Sequence, residues 1–311
     1  MNKPLLSICI PTFNKVSYLK ECLDSIVCQS DNKEIFSKTE IVISDNASRD
    51  NTQELVREYQ KRFHNIRYFR NKKNLGFDRN VDNTITLASG DFCWTLADDE
   101  EIKKEELKFL LETIKKHQEI AYIGMERLKN DDKIEYFKNG NEILKTGNLP
   151  PGGYLSFNIF NKKFLPPNHE RYYDNFWLHY SLVMEIIAKN PFIIIKNILK
   201  NKETFDYSWK KEGKKGHCFT TYRYLKKIIQ DLPLFGYEKK GVNKILNGFA
   251  RGLPKTVASA KIYGLETSWE NFVLLVKDFY HYPLWLFLST IVFLIPTPIF
   301  KFFKKIKTKF F

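Results

Sequence analysis

The sequence predicts an α/β fold with a mostly parallel sheet and helices on both faces. Short apolar runs suited to buried strands alternate five times with segments whose apolar residues recur at helical spacing, and the connections are short. A hydrophobic content of 43% over 311 residues is enough for a packed core. The predicted strands cover residues 5–10, 40–44, 66–69, 91–96 and 120–125.

The elements follow in order from local signals. The first strand, "LLSICI", is expected to close at Pro11. The first helix follows over residues 18–27, and the second begins near Asp50, which with Gln53 resembles a capping box. Two further helices are expected, over residues 78–88 and around Leu107, Leu110, Leu111 and Ile114.

The alternation stops near residue 127. A polar, turn-rich stretch runs to about 175, and helical spacing resumes near 176–189 and 222–230. No linker between independent domains is obvious. We therefore predict one domain over 1–230, with halves at 1–125 and 126–230, then a helical extension over 231–311.

The net charge of +14 is concentrated in the C-terminal third. Residues 196–227 carry ten basic and three acidic side chains, and residues 301–311 carry five lysines and no acid. Such basic surfaces favour binding to a polyanion. The candidates are nucleic acid, anionic lipid and a sugar diphosphate. No nucleic-acid-binding module accompanies the charge, so we expect no nucleic-acid partner. No GxGxxG follows the first strand, which disfavours a dinucleotide-dependent oxidoreductase.

Polar clusters follow the first, second and fourth strands, where ligands bind in open parallel sheets. Converging carboxylates favour a cation, and Mg²⁺ or Mn²⁺ usually brings a phosphate with it. The sequence therefore predicts a metal–diphosphate site at this edge. The alternative is that the acids after residue 97 lie at the N-terminus of the next helix. The residues expected to converge are Thr12, Asn14, Asp45, Asp98 and Asp99.

Three stretches, "SICIPTFNKVSYLKECLDSIVCQ", "EIVISDNASRDNT" and "NLGFDRNVDNTITLASGDFCWTLADDE", occur in this order. Together they resemble the N-terminal half of family 2 glycosyltransferases with the GT-A fold. The sequence is most similar to the abequosyltransferase-like members that decorate bacterial surface polysaccharides. The resemblance implies a nucleoside-diphosphate-sugar donor, a divalent metal and transfer to a sugar hydroxyl. It also implies that 1–125 is the nucleotide-binding half and 126–230 the acceptor half of a GT-A domain.

The resemblance also implies roles for single residues. Pro11 and Thr12 match the turn that lines the nucleotide, and Asp45 matches the aspartate that recognises the base or ribose. The loop and helix start that close over the donor contain Asn74, Gly76, Arg79 and Asn80.

The metal motif of that family departs from its usual form. Asp99 matches the second acid of the DxD motif, whereas Ala97 replaces the first and Asp98 stands between them. The resemblance then implies that Asp99 is the main protein ligand to Mg²⁺ or Mn²⁺, with Asp98 on the ribose or sugar. Ala97 also leaves a second interpretation open. In it the protein is a catalytically weak nucleotide-sugar-binding or scaffold component of a polysaccharide assembly complex.

An inverting transfer needs a general base near the acceptor hydroxyl. The family places an acid, and its abequosyltransferase-like members a histidine, in the region of "ERYYDNFWLHYSLVMEII", so Asp174 and His179 are equal candidates. The alternatives are an N-cap role for Asp174 and a hydrogen-bonded core position for His179. Glu185 falls within the helix and is expected to be solvated.

The segment 208–227 is expected to hold the leaving diphosphate. Its lysines and Arg223 supply positive charge, and His217 adds a hydrogen-bond donor or a metal ligand. The alternative is a solvated basic face.

The tail predicts a membrane anchor over residues 283–311. Residues 283–300 are apolar but interrupted by Pro296 and Pro298, and "KFFKKIKTKFF" follows. The pattern favours an interfacial or re-entrant segment on anionic lipid, or alternatively a helix packed on the domain.

The combined expectation is an enzyme that moves one sugar onto a hydroxyl of a lipid-linked, lipooligosaccharide or capsule glycan. We expect inverting, metal-assisted chemistry. Because no secretory signal opens the sequence, we expect the cytoplasmic face of a bacterial inner membrane, with peripheral or monotopic attachment.

Overall fold

The computed structural model describes residues 3–29, 33–126, 134–200, 218–263 and 268–300. The predicted metal ligand His217 and the lysine-rich end at 301–311 lie outside the described residues. The chain divides into two compact units, Met1–Asn201 and Lys202–Phe311. The boundary that the sequence predicts at residue 230 falls inside a helix of the second unit.

One mixed sheet organises the first unit. Across the sheet its strands run in the order β3-β2-β1-β4-β7-β5-β8-β6. β7 is antiparallel to β4 and β5, and β6 is antiparallel to β8, whereas the other neighbouring pairs are parallel. The strands are β1 Leu6–Thr12, β2 Thr39–Asp45, β3 Ile66–Arg70, β4 Phe92–Thr95, β5 Tyr122–Glu126, β6 Glu135–Phe137, β7 Asn158–Asn161 and β8 Phe192–Lys196.

Helices cover both faces of the sheet, as predicted. They are α1 Val16–Val27, α2 Lys33–Lys38, α3 Thr52–Arg62, α4 Phe77–Leu87, α5 Glu106–Lys116, α6 Gly140–Thr146 and α7 Leu178–Ile187. Single 3₁₀ turns cover Leu155–Phe157, Lys162–Phe164 and Glu170–Tyr172.

The alternation of side chains along β1 explains why apolar residues occur at both odd and even positions of its sequence, LSICIPT. Ile8 and Ile10 belong to a core cluster with residues of α1, α3 and α5, whereas Cys9 packs with Val42 and Cys93 against the end of α4. Successive residues of a strand point to opposite faces of the sheet. A parallel strand covered on both faces therefore needs apolar residues on each face, and its buried polar Ser7 is satisfied by donating to Glu40 at 2.6 Å.

Two local expectations were wrong. β1 continues through Pro11 to Thr12, because its pairing with β4 ends at Cys9 and the missing N–H of Pro11 breaks no bond on that side. The capping box at Asp50 does not form. Asp50 instead accepts hydrogen bonds from the Thr52 N–H at 3.2 Å and the Val16 N–H at 3.0 Å, so it links the starts of α1 and α3.

The second unit is helical and has its own core. Its helices are α8 Cys218–Phe235, α9 Lys239–Tyr263, α10 Trp269–Phe279 and α11 Pro283–Leu294. Phe219, Leu253 and Leu275 belong to the buried cluster that joins them. Aromatic stacking reinforces this cluster, with the Phe272 and Phe293 ring centroids 4.0 Å apart.

The apolar tail forms a short helix. α11 has twelve residues, and none of the described helices is long and apolar enough to cross a membrane. Five of its large apolar side chains are nevertheless exposed at helical spacing, namely Leu284, Phe287, Leu288, Ile291 and Leu294. We call these five residues the apolar face of α11.

Candidate functional site

Three strand ends meet at one edge of the sheet. Thr12 at the end of β1 lies opposite Asp45 at the end of β2 in the parallel register. The hydroxyl of Thr12 donates a hydrogen bond to Asp98 Oδ2 at 2.8 Å, just after β4. The structure thus brings Thr12, Asp45 and Asp98 to the carboxyl ends of neighbouring strands, where an open α/β sheet binds its ligands.

Lys15 lies between the two adjacent acids. Its Nζ is 2.9 Å from Asp99 Oδ2 and 3.3 Å from Asp98 Oδ1. The chain reaches this position through Asn14, whose positive φ of 53° turns it out of β1 toward α1. Sequence analysis did not select Lys15. The available signal was a single cation directly after "PTFN". We call Thr12, Lys15, Asp98 and Asp99 the strand-end cluster.

Burial and charge set the protonation of this cluster. Burial raises the pKa of Asp98 to about 6, and repulsion from Asp99 adds to the effect while Lys15 opposes it. Burial by itself lowers the pKa of Lys15, but the attraction of Asp98 and Asp99 outweighs it and the pKa rises above its ordinary value. Lys15 is therefore charged at neutral pH, and it compensates the two acids.

The charge of the cluster suits a divalent metal, but the protein supplies too few ligands for one by itself. The ammonium of Lys15 shows that a positive charge is stabilised between Asp98 and Asp99, and carboxylate oxygens are ligands that Mg²⁺ and Mn²⁺ accept. Within the described ranges, however, no three His, Cys, Asp or Glu side chains are grouped to hold a metal. A metal on this pair would need further ligands from a substrate, and it would compete with Lys15.

Asp45 is fully buried and organises the turn after β2. Its Oδ1 accepts the Ser48 N–H at 2.8 Å, and its Oδ2 accepts the Tyr68 hydroxyl at 2.5 Å with Arg70 3.5 Å away. Both carboxylate oxygens are thus engaged by the protein. Asn14 joins the same turn by accepting the Arg49 N–H at 2.8 Å.

An amide network fixes the loop that precedes α4. Asn74 accepts hydrogen bonds from the side chain of Asn46 at 2.9 Å and from the Gly76 N–H at 2.8 Å. Gly76 has a φ of +89°, a conformation that side-chain-bearing residues rarely adopt. Asn80 donates to the Ser44 carbonyl at 3.1 Å. The loop is therefore tied to the end of β2, beside the strand-end cluster.

Arg79 and Asp174, predicted for different roles, form one ion pair. The Arg79 guanidinium donates to both carboxylate oxygens of Asp174, at 2.6 and 3.0 Å. This hydrogen bonding holds the pKa of Asp174 below its usual range. The Asp174 side chain is 74% exposed, so it remains reachable from solvent.

Asp78 shapes the approach to α7 and was missed by sequence analysis. Its carboxylate accepts the backbone N–H groups of Asn175 at 3.0 Å, Phe176 at 2.9 Å and Leu178 at 3.4 Å. The alternative that Asp174 is the N-cap of α7 was wrong, because the N-cap position is Trp177 and Asp78 accepts the N–H groups there. An acid in the first turn of a predicted helix gave no sign of this distant contact.

His179 is a buried, neutral side chain. Its Nε2 donates to the Gly153 carbonyl at 3.2 Å, so Nδ1 carries the lone pair, and Nδ1 has no hydrogen-bond partner in the described part of the chain. Burial lowers the pKa of His179 to about 4. The residue is 3% exposed. This geometry agrees with the core position that the sequence left open.

Two further residues considered in the sequence, Arg223 and Glu185, make ion pairs within their own units. Arg223, on α8 of the second unit, pairs with Asp278 of α10. Glu185 is not simply solvated as expected, since it pairs with Arg171 and accepts the Tyr172 hydroxyl at 2.5 Å.

Comparison with known families identifies one model that matches most of the first unit. The model described as "Glycosyl transferase family 2" matches residues 7–186, which is more than half of the chain. The match includes β1 to β5 and the strand-end cluster.

Two curated relatives are sugar transferases. The abequosyltransferase RfbV of Salmonella typhimurium is 34% identical over 172 residues, covering 49% of this chain and 50% of the relative. The GalNAc(5)-diNAcBac-PP-undecaprenol beta-1,3-glucosyltransferase of Campylobacter jejuni is 28% identical over 183 residues, covering 55% and 57%. The chain thus spans about half the length of these relatives.

Solved structures share the fold across nearly the whole chain. S. aureus TarS 1-349 in complex with UDP-GlcNAc aligns with a TM-score of 0.56 at 15% identity, covering 92% of this chain and 90% of that one. The mannosyltransferase PcManGT from Pyrobaculum calidifontis, in complex with GDP-Man and Mn²⁺, aligns with a TM-score of 0.53 at 14% identity, covering 98% and 89%. At these identities the likeness supports the predicted GT-A architecture alone.

Proposed function

The chain belongs to glycosyl transferase family 2, and we propose that it moves one sugar from a nucleoside-diphosphate sugar to a hydroxyl of a lipid-linked or surface glycan. The cluster of Thr12, Lys15, Asp98 and Asp99 at the strand ends supports this most directly. It combines a charged lysine with two acids at the edge where open sheets bind nucleotides.

Lys15 supplies the positive charge for the donor diphosphate. Its ammonium already lies between two carboxylates, so a modest change of rotamer can exchange one of them for a phosphate oxygen. Preorganised positive charge stabilises a leaving diphosphate as negative charge develops on it. Thr12 holds Asp98 through its hydroxyl and thereby keeps the cluster in place.

We further propose that Asp99 and Asp98 hold Mg²⁺ or Mn²⁺ when the donor is present. The solved structure with GDP-Man and Mn²⁺ is a neighbour in fold, and the two acids offer suitable oxygens. A metal there would neutralise charge on the diphosphate. Ala97 stands where a DxD motif has its first acid, so Asp98 would take its place and the donor would complete the coordination.

Asp174 is the better candidate for the general base. It is exposed, whereas His179 is buried and has a pKa far below neutral, so an acceptor hydroxyl reaches only Asp174. In the proposed step, Asp174 takes the hydroxyl proton as that oxygen bonds to the anomeric carbon and the bond to the diphosphate breaks. Arg79 keeps Asp174 ionised until the donor draws the guanidinium away.

The tail and one relative support a proposal for the acceptor and the location. The Campylobacter jejuni relative is named for an undecaprenol-linked substrate. The apolar face of α11 precedes a segment with five lysines, a combination that suits the surface of an anionic bilayer. We propose peripheral attachment at the cytoplasmic face of a bacterial inner membrane.

A panel of UDP-, GDP-, CDP- and dTDP-sugars tests the activity. One donor is expected to raise the melting temperature in the presence of Mn²⁺ and to be slowly hydrolysed, because a ligand that binds only the folded state stabilises it. Asp99→Ala should abolish turnover and leave the fold intact. Asp91→Ala, an exposed acid bonded to Lys3, is the control and should behave as wild type. Absence of binding and hydrolysis with every donor would overturn the proposal.

A second candidate is a catalytically weak nucleotide-sugar-binding or scaffold component of a polysaccharide assembly complex. Ala97 in the metal motif and the occupation of the remaining acids by Lys15 favour it. Donor binding without transfer to any lipid-linked saccharide in a membrane extract would select this candidate over the enzyme.

A further inference from the structure

A cavity lies along α4 in the first unit, and its lining contains none of Thr12, Lys15, Asp98 and Asp99. Its volume is about 600 Å³, within the range of small-molecule sites. One side is α4 and the other is the segment 162–173, and we call it the α4 groove. Its lining includes Asp82, Thr86, Lys162, Pro166, His169 and Tyr173.

A polar network is built into the wall of the α4 groove. Asp82 Oδ1 is 2.5 Å from His169 Nδ1, and Asp82 Oδ2 accepts the Tyr173 hydroxyl at 2.5 Å. The Asp82 side chain is only 11% exposed. Because Asp82 accepts both bonds, the orientation of the imidazole is fixed, and the Nδ1 atom of His169 carries a proton.

The opposite nitrogen of the same ring has no partner. His169 Nε2 is buried and makes no hydrogen bond to any residue that the structure describes. Buried polar atoms are satisfied in the great majority of cases. Because the His169 residue lines the α4 groove, a ligand bound there is the candidate for the missing partner. A hydroxyl suits either protonation state of the ring, since it can donate to the lone pair or accept from an N–H.

The charge and the apolar surface of the α4 groove narrow the class of ligand. Asp82 and Glu170 line it together with Lys162, whose ammonium already donates to the Ala88 carbonyl. The groove therefore has no excess positive charge for a phosphate. Apolar walls from Pro166 and its neighbours complete a lining that suits an uncharged, hydroxyl-rich ligand.

The α4 groove begins beside the proposed base. Tyr173 precedes Asp174, and the Arg79 guanidinium that binds Asp174 lies 4.6 Å from the centre of the Tyr173 ring. Arg79 and Asp82 are both on α4, and Thr86 lies one turn beyond Asp82 on the same face. A ligand whose end lies at Asp174 would therefore extend along α4 into the groove.

We infer that the α4 groove is a saccharide subsite that binds the acceptor's non-reacting sugars, with His169 Nε2 and the Asp82–Tyr173 pair contacting sugar hydroxyls. This inference rests on the proposed function, because it takes Asp174 as the base and states that the acceptor extends from there along α4. Sugars bound there interact equally in the ground state and the transition state, so they govern acceptor affinity and not the handling of the donor.

Saturation-transfer NMR with lactose, cellobiose, maltose and N,N′-diacetylchitobiose tests the subsite. At least one of these uncharged disaccharides should bind the full-length protein, and inorganic pyrophosphate should not displace it. His169→Ala should weaken binding about tenfold, the equivalent of one good hydrogen bond. Thr86→Trp, at an exposed wall position that should tolerate the change, should abolish it.

The matched control is Gln118→Trp, an exposed uncharged position outside the α4 groove, which should leave disaccharide binding unchanged. Donor-induced thermal shifts should be the same in all three variants. Absence of disaccharide binding to wild type, or equal binding to Thr86→Trp, would overturn the subsite even where a donor binds. Disaccharide binding without any nucleotide-sugar binding would leave the subsite standing and refute the transferase proposal instead.

Discussion

Lys15 determines the charge balance of the strand-end cluster. Two adjacent carboxylates repel each other unless a cation lies between them, and here the cation is a side chain of the same chain. Sequence reasoning found Thr12, Asp98 and Asp99 because acids after a buried strand are a local signal. It missed Lys15 because the contact joins residues 84 positions apart, which no spacing reveals.

Lys15→Met should make the protein more dependent on a metal. Without the ammonium, the acids lose their compensating charge, and we expect a loss of about 1–3 kcal/mol in stability in EDTA. Mn²⁺ should then restore more stability than it adds to wild type. Thermal unfolding with EDTA and with Mn²⁺ measures both effects.

Lys20→Met is the control, since its exposed pair with Asp24 on the same helix should contribute little. An identical Mn²⁺ response in Lys15→Met and wild type would show that Lys15 and the metal do not compete.

His179 should make the first unit less stable in mild acid. Its pKa is about 4 when folded and 6.5 when unfolded, so the unfolded state binds the proton first as the pH falls. The stabilisation is complete above pH 6.5 and is lost progressively toward pH 4. Between pH 7.5 and 5 the loss is about 2 kcal/mol, given about 1.4 kcal/mol per pKa unit.

Urea unfolding at the two pH values checks this expectation. His179→Gln should lose about 2 kcal/mol less than wild type over the same interval, whereas His64→Gln, at an exposed position, should follow wild type. The same pH dependence in His179→Gln and wild type would contradict a buried neutral imidazole.

At the scale of elements, α4 connects the end of β2 with the approach to α7 and with the α4 groove. Its loop is tied to β2, its first turn holds the approach to α7 through Asp78, and its next turn forms a wall of the α4 groove through Asp82. Burial raises the pKa of Asp78, although the backbone N–H groups that it accepts oppose the shift. One helix thus positions the loop that carries Asp174.

Asp78→Asn should loosen the segment 175–178. The amide retains one acceptor oxygen for three N–H groups, so a loss of about 1–2 kcal/mol is expected, as for a helix cap. Hydrogen exchange should show faster exchange of the Phe176 and Leu178 amides. Glu54→Gln, an exposed acid in the first turn of α3, is the matched control. Unchanged exchange in Asp78→Asn would show that the loop is held by other contacts.

The first five strands could be predicted because each is a short, mostly apolar run between turn signals. The later strands could not. β7 carries Asn158 and Asn161 at its two ends, and both are buried with distant partners. Asn158 accepts the Tyr122 hydroxyl at 2.9 Å, and Asn161 donates to the Ile120 carbonyl at 2.9 Å. A strand whose polar residues are satisfied only by the tertiary fold gives no local pattern.

At the scale of the molecule, the two units carry different features. The matched residues 7–186 lie within the first unit, whereas the second unit carries the apolar face of α11. The hydropathy of 283–300 predicted an anchor, but it could not distinguish a spanning segment from the short helix observed. The helix ends at Leu294, shortly before Pro296, and Trp285 and Phe293 pack on the core of the second unit. Hydropathy alone does not reveal this packing.

Replacing Phe287 and Ile291 of the apolar face with serine should reduce binding to anionic vesicles. The change removes two large apolar side chains from the proposed contact and leaves the lysines in place. Co-sedimentation with phosphatidylglycerol-containing vesicles measures the loss. Tyr136→Ser, at an exposed aromatic position of the first unit, is the control. Equal sedimentation of the serine variant and wild type would exclude α11 as the attachment surface.

A crystal structure with Mn²⁺ and the nucleotide-sugar that gives the largest thermal shift tests the central claim most directly. We predict an anomalous manganese peak at coordination distance from Asp99, with the donor diphosphate bound to Lys15 at the ends of β1 and β4. A nucleotide bound away from these strand ends, with Lys15 still between Asp98 and Asp99, would contradict the assignment of the donor site.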